Sequence, residues 1–259
     1  MLDQVMEIVR EAAGLMLSAK HIHQERKDGH ANFVTQTDLA VQEMLRAALT
    51  DLVPHSHFFG EEQANEPLTD DLTWVVDPID GTTNFIRGRN CSAISVALLE
   101  HKAPVLGVVY NPYANEMFAA AAGAGATLNR SAIRASGIPF VDALVLMGTT
   151  PYDDALARAT FEAALQFRLR AADLRRSGSA AVDMCDIACG RGDIFYEMRL
   201  SPWDVAASAL IITEAGGTFD MPSLPTPDFS APHGILATNG ICREKALAIF
   251  KKALEEPRS

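Results

Sequence analysis

The chain has 259 residues, 48% apolar and 21% charged, which excludes a disordered or collagen-like chain and leaves room for one large domain or two packed halves. With 22 Lys and Arg against 33 Asp and Glu, the net charge of -11 has the wrong sign for a polyanionic partner, so nucleic acid is disfavoured. Asp3, Glu7, Arg10 and Glu11 interrupt any signal-peptide-like stretch, and even the run from Val205 to Ile212 is short and contains Ser208. The expectation is a soluble, cytoplasmic protein with no membrane partner. Cys91, Cys185, Cys189 and Cys242 are too few and too scattered for a disulfide framework and form no CxxC pair, so they read as core packing.

Val5, Ile8, Val9, Ala12, Leu15 and Met16 fall at helical spacing and predict a helix from Asp3 to about Lys20. Thr37 precedes Val41, Met44, Leu45, Ala48 and Leu49, which predicts a second helix over 38–50 packed against the first. The period then shortens. Residues 73–77, 91–99, 104–110 and 115–121 are rich in Val, Ile and aromatics and are separated by Gly, Pro and Asn, as in a largely antiparallel sheet. From about residue 143 strands and helices alternate: ALVLM, then helices near 153–167, 179–190 and 203–215. Residues 126–140 carry turn residues without periodicity, which places a boundary there and divides the chain into an α+β half, 1–138, and an α/β half, 139–259.

The densest chemistry is WVVDPIDGTTNF at 74–85. An apolar strand delivers Asp77, then Pro78 and Ile79, then Asp80 and Gly81 at a helix start. Pro78 limits the backbone, so the two carboxylates and an intervening carbonyl can converge on a hard cation, and oxygen-only ligation selects Mg2+ over zinc. The N–H groups of Gly81, Thr82 and Thr83 offer an anion-binding end beside it. The same string read alone is equally a capped turn. Glu61 and Glu62 after Phe58 and Phe59 read alone as a solvated strand end, and Asp204 in WDVA as a helix cap.

The combination resembles the inositol monophosphatase family of Mg2+-dependent, lithium-sensitive phosphatases. The likeness rests on GEE at 60–62, WVVDPIDGTTNF at 74–85 and WDVAASALIITEAGG at 203–217, in the family's order and across nearly the whole chain. Lys27, eleven residues before Asp38, the SGSAAVDMC string at 177–185, and Glu197, seven residues before Asp204, add to it. The resemblance implies a layered αβαβα sandwich and a homodimer. It implies that Glu61, Asp77 and the Ile79 carbonyl hold one Mg2+, and that Asp77, Asp80 and Asp204 hold a second, with a third ion leaning on Glu61. It further implies an attacking water placed by Thr82, whose hydroxyl bonds Asp38, a phosphate held at Gly81 and Thr82, and Lys27 tempering the acidic cluster from behind. Substrate hydroxyls would meet Asp80, Asp204, Glu197, Ser179 and the backbone at Gly178 and Ala180. Ser179 in place of a common threonine, and Ser201–Pro202 before the WD pair in place of His and Cys, depart from animal-type members, so chemistry is better specified than substrate.

The implied reaction is hydrolysis of inositol monophosphate. The alternatives are fructose-1,6-bisphosphatase, 3'-phosphoadenosine 5'-phosphate phosphatase, histidinol-phosphate phosphatase, a broad sugar-phosphate phosphatase, or a regulatory binding protein that kept the fold. The pairs His21/His23 and His55/His57 read as polar surface, no GxSxG elbow is present, and Arg168, Arg170, Arg175 and Arg176 read as charged surface or a dimer contact.

Overall fold

The computed structural model describes residues 1–19, the backbone of 24–26 and 33, and residues 34–255. In chain order the elements are α1 (Leu2–Ser18), β1 (Gln24–Arg26), β2 (Phe33–Thr35), α2 (Gln36–Leu52), β3 (His57–Gly60), β4 (Thr73–Asp80), α3 (Thr82–Ile86), β5 (Ala93–Glu100), β6 (Ala103–Asn111), β7 (Glu116–Ala121), β8 (Ala126–Leu128) and β9 (Ser131–Ala132). They continue with β10 (Leu144–Met147), α4 (Ala157–Arg168), β11 (Asp173–Arg175), α5 (Ala180–Ala188), β12 (Ile194–Leu200), α6 (Pro202–Glu214), β13 (Thr218–Asp220), β14 (His233–Thr238) and α7 (Arg243–Glu255).

Strands β3 to β9 form a seven-stranded sheet in sequence order, antiparallel except that β3 runs parallel to β4. The second sheet has the order β11-β10-β12-β14-β13, parallel around β10 and antiparallel around β14. The alternation of side chains along each strand builds the layers. Trp74 and Val76 of β4 pack with Val5, Val9, Leu45 and Leu49 of α1 and α2, whereas Val75 packs with the buried sides of α5 and α6. In the smaller sheet, Leu146, Phe195 and Ala237 face α5 and α6, while Val145, Tyr196 and Leu236 face α4 and α7. The result is the expected αβαβα sandwich, with α5 and α6 as its central layer. That position explains why Val205 to Ile212 is apolar all round, since a helix between two sheets has no solvent face.

Three local readings are corrected. Helix α2 begins earlier than 38 and is capped by Thr35, not Thr37: the Thr35 hydroxyl accepts from the N–H groups of Thr37 and Asp38, while the Asp38 carboxylate accepts the Thr35 N–H at 2.9 Å. The aperiodic stretch 126–140 contains β8 and β9, two pairings too short to show a period. Cys185 and Cys242 are core residues, but Cys91 and Cys189 are only half-buried.

Strand β4 carries the irregularity that matters. Asp77 pairs with Ser95 and Asp80 with Ala93, so three steps along β4 match two along β5, and one extra residue is absorbed beside Pro78, which has no N–H to give the ladder. The pleat changes phase there. Ile79, which strict alternation would place with Val75, packs with Trp74 and Val76 instead. Ile79→Ala should therefore cost what a core truncation costs, about 2–5 kcal/mol, and lower the melting temperature by roughly 4–20 °C. A calorimetric scan that shows a shift under about 2 °C would contradict the phase change.

Candidate active site

The bulge determines where carboxylates point. Without it Asp77 and Asp80, three residues apart, would project from opposite faces of the sheet. With it both turn toward the central layer, where Asp204 enters from the first turn of α6, and one carboxylate oxygen from each of the three lies within 4.8 Å of the others. Asp77 and Asp80 are buried, and Asp204 keeps partial access to solvent. Asp204 closes the capping box of α6 by accepting the Ser201 N–H at 2.7 Å, and the same side chain stands in this cluster.

Each carboxylate is oriented by main chain. Asp77 Oδ1 accepts the Ile79 N–H at 2.9 Å. Asp80 Oδ2 accepts the Ala181 N–H at 2.9 Å and the Ser179 hydroxyl, tying β4 to the start of α5. Glu61, just past β3, lines the same cavity and faces Asp77. Burial is the largest effect on all three clustered carboxyls and raises their pKa: Asp80 to about 6, held down by its bonds to Ser179 and Ala181, and Asp77 and Asp204 well above the usual carboxylate range through repulsion from Glu61 and from each other's neighbourhood. The largest causes of these three shifts are burial, neighbouring carboxylates and hydrogen bonds. An all-oxygen set of mutually repelling carboxylates fits a hard divalent ion and does not fit zinc or copper chemistry.

Thr82 opens the five-residue α3, whose cap Gly81 has φ +86°, a backbone that side chains with a Cβ rarely adopt. The Thr82 hydroxyl donates to the Ile79 carbonyl at 3.1 Å and reaches Asp38 Oδ1 only at 3.5 Å, the long limit of a hydrogen bond. Asp38 is buried, and its pKa is raised to about 6 by burial against the lowering bonds from Thr35.

Two adjoining cavities of about 380 and 350 Å3 share Asp80, Gly81, Thr82, Tyr152, Leu200 and Asp204. The first also holds Glu61, Asp77 and Ile79, and the second holds Gly178, Ser179, Ala180 and Glu197. Glu197 is buried, accepts the Thr150 N–H at 2.7 Å, and has its pKa raised to about 7 by desolvation. Asn84 Nδ2 donates to the carbonyls of Cys91 and Ser177 at 2.7 and 3.0 Å, which fixes the 177–179 turn against α3.

Every expected site residue except Lys27 thus borders one region, with Asp38 behind Thr82. Lys27, His21 and His23 lie outside the described residues. His55 and His57 line neither cavity, and His57 stands 3.6 Å from Asp71 on the exposed surface. Arg176 is more than surface charge, since it lines the second cavity and donates to the Thr149 hydroxyl at 3.2 Å. Sequence reasoning missed Gly148, Thr150, Tyr152, Asp183 and Arg199 as cavity residues. The turn-forming string Gly148-Thr149-Thr150-Pro151 is the available signal for the first two.

Comparisons with known proteins give one answer. The sequence model described as the inositol monophosphatase family matches residues 1–255. A curated relative, inositol monophosphatase 2 of Solanum lycopersicum, is 40% identical over 98% of this chain and 97% of its own. A Nus factor SuhB of Xylella fastidiosa is 36% identical over 78% of this chain and 72% of its own. Among solved structures, an IMPase of Thermotoga maritima superposes with a TM-score of 0.88 at 28% identity, covering 98% of both chains.

A carboxyl whose folded-state pKa is raised stabilises the fold below its unfolded value, near 3.9 for Asp, and loses that contribution as pH climbs through the folded value. In metal-free protein Asp77→Asn, which can keep the Ile79 bond, should therefore melt higher than the parent at pH 8, with the gap closing below about pH 4. Mg2+ at about 100 times its Kd should stabilise the parent by about 2.7 kcal/mol, roughly 5–11 °C, and the variant by much less. Thermal melts at both pH values with EDTA or Mg2+ check this, and equal Mg2+ shifts in the two proteins would refute the cluster as an ion site.

Proposed function

Because the chain belongs to the inositol monophosphatase family of phosphatases, we propose that it hydrolyses inositol monophosphate to inositol and phosphate with two Mg2+ ions, or three, at the carboxylate cluster. The observation that supports this best is the convergence of Asp77, Asp80 and Asp204 in a cavity continuous with a second one that holds Glu197 and Ser179. The family's enzymes use divalent metal ions. In this reading Glu61, Asp77 and the Ile79 carbonyl hold one ion, and Asp77, Asp80 and Asp204 another. When bound, such ions neutralise charge on the transferring phosphoryl group and activate water at neutral pH.

The remaining work belongs to the chain. Gly81 and Thr82 border both cavities where a phosphate would sit beside the cluster. The single hydrogen of the Thr82 hydroxyl points to the Ile79 carbonyl or turns to Asp38, and either way the oxygen's lone pairs can accept a hydrogen from the attacking water. Asp38, titrating at about 6, stands one hydrogen bond further out as a proton acceptor. Asp80 and Glu197 accept the polyol's hydroxyls, and Ser179 with the backbone of Gly178 and Ala180 shapes the wall beside them. Lys27 would temper the cluster's charge. The first half, 1–138, supplies Glu61, Asp77 and Asp80, and the second, 139–259, supplies Asp204 and Glu197. Family membership supports lithium inhibition, a homodimer and a cytoplasmic location. Among the described residues no helix is long and apolar enough to cross a membrane.

Phosphate release from myo-inositol 1-phosphate, beside fructose 1,6-bisphosphate, 3'-phosphoadenosine 5'-phosphate and histidinol phosphate, tests the reading. The inositol ester should be preferred and its hydrolysis should require Mg2+. Asp77→Asn should lower kcat/KM by more than the roughly 10–100-fold typical of losing an outer partner of a metal ligand. Preference for another ester would keep the metal chemistry and replace the substrate. Failure on all four would favour a binding role.

A further inference from the structure

Resting on the reading of Glu197 as the carboxylate that meets substrate hydroxyls, we infer that the main chain of residues 148–150 sets substrate preference by clamping that carboxylate. Met147 at the end of β10 pairs with Tyr196 of β12, and the Gly148 N–H continues the ladder by donating to the Tyr196 carbonyl at 3.0 Å. The loop therefore starts out alongside Glu197, the next residue of β12. A Cβ at position 148 would collide with the carboxyl carbon and both carboxyl oxygens of Glu197, so only glycine lets the backbone run against that group. The chain then turns so that the Thr150 N–H donates to the carboxylate at 2.7 Å.

The turn is strained. Thr150 has φ +45°, a conformation disfavoured for a β-branched residue, and its buried hydroxyl finds no hydrogen-bond partner among the described residues. The side chain gives the bend no support, and what the bend achieves is an N–H aimed at Glu197. Arg176 braces the segment through the Thr149 hydroxyl. One carboxylate oxygen is thus occupied from the loop side, and the side chain borders the cavity shared with Asp80 and Ser179. An acceptor fixed in this way favours esters of polyols over esters of alcohols that have no further hydroxyl.

The readout is the ratio of kcat/KM for myo-inositol 1-phosphate to that for p-nitrophenyl phosphate, with Mg2+ present. Glu197→Gln should lower the ratio, which is the reading on which the inference rests. Gly148→Ala should lower it about 10- to 100-fold, the range expected when a hydrogen bond to a charged group is lost. The double variant Gly148→Ala/Glu197→Gln should fall no further than Glu197→Gln alone. Glu197→Asp, which keeps the charge but draws it back from the Thr150 N–H, should lower the ratio as Gly148→Ala does, and it serves if that variant does not fold. A ratio unmoved by Glu197→Gln would overturn the pocket reading and the inference with it. A ratio lowered by Glu197→Gln but unmoved by Gly148→Ala and Glu197→Asp would overturn the clamp alone. Equal losses on both esters leave the ratio unmoved and count against the clamp.

Discussion

Repulsion between like charges in a poorly hydrated place is the interaction around which this molecule is organised. Asp77, Asp80 and Asp204 would each ionise near pH 4 in water. Brought within 4.8 Å of one another and largely withdrawn from solvent, Asp77 and Asp204 hold protons well above that value, and Asp80 to about 6, unless a cation joins them. A fold that assembles such a cluster opposes its own stability at neutral pH, and the bulge at Pro78, the capping box of α6 and the Ser179 and Ala181 contacts are the rigid supports that hold it together. The divalent ions used across the family resolve the conflict, so affinity for a cation and strain without one have the same source.

The layers serve that cluster. Helix α6 lies in the middle of the sandwich with residues 205–212 buried all round, so Asp204 is delivered from a segment whose position is set by packing on both sides. Strand β4 is buried along its whole length, which fixes the bulge in register. The second cavity draws on loops from both sheets, and its walls, residues 148–152 and 177–180, differ in character from the metal side. They are turns held by main-chain bonds and by Asn84 and Arg176. A charged floor built on a strand and a helix, beside a wall built of turns, is the arrangement expected where one chemistry serves different alcohols.

Much of this was legible in the residues. Helical spacing located α1, α2, α5 and α6 to within a few positions, because each buries a face or, for α6, its whole circumference. Asp77 and Asp80 stood out as possible oxygen ligands flanking Pro78 at a strand end, although the string alone was equally a capped turn, and Glu61 and Asp204 joined them only through the resemblance carried by the three motifs in combination. The bulge itself was not legible, since nothing in VVDPID states which side of the sheet Asp80 will face; that depends on the pairing with Ser95 and Ala93. The clamp on Glu197 was equally hidden, because Gly148 and Thr150 act through backbone that only meets Glu197 once β10 and β12 pair. The placing of β13 beside β14 was also not legible, because the three residues of β13 show no period and their position is set by pairing with β14.

The most direct test is anomalous diffraction from crystals grown with Mn2+, a hard ion of similar ligand preference. The predicted result is a manganese peak among the carboxylates of Asp77, Asp80 and Asp204, with Asp77 and Asp80 approaching it from the same face of β4. Manganese bound elsewhere, with these three carboxylates unligated in protein that hydrolyses its ester, would contradict the account.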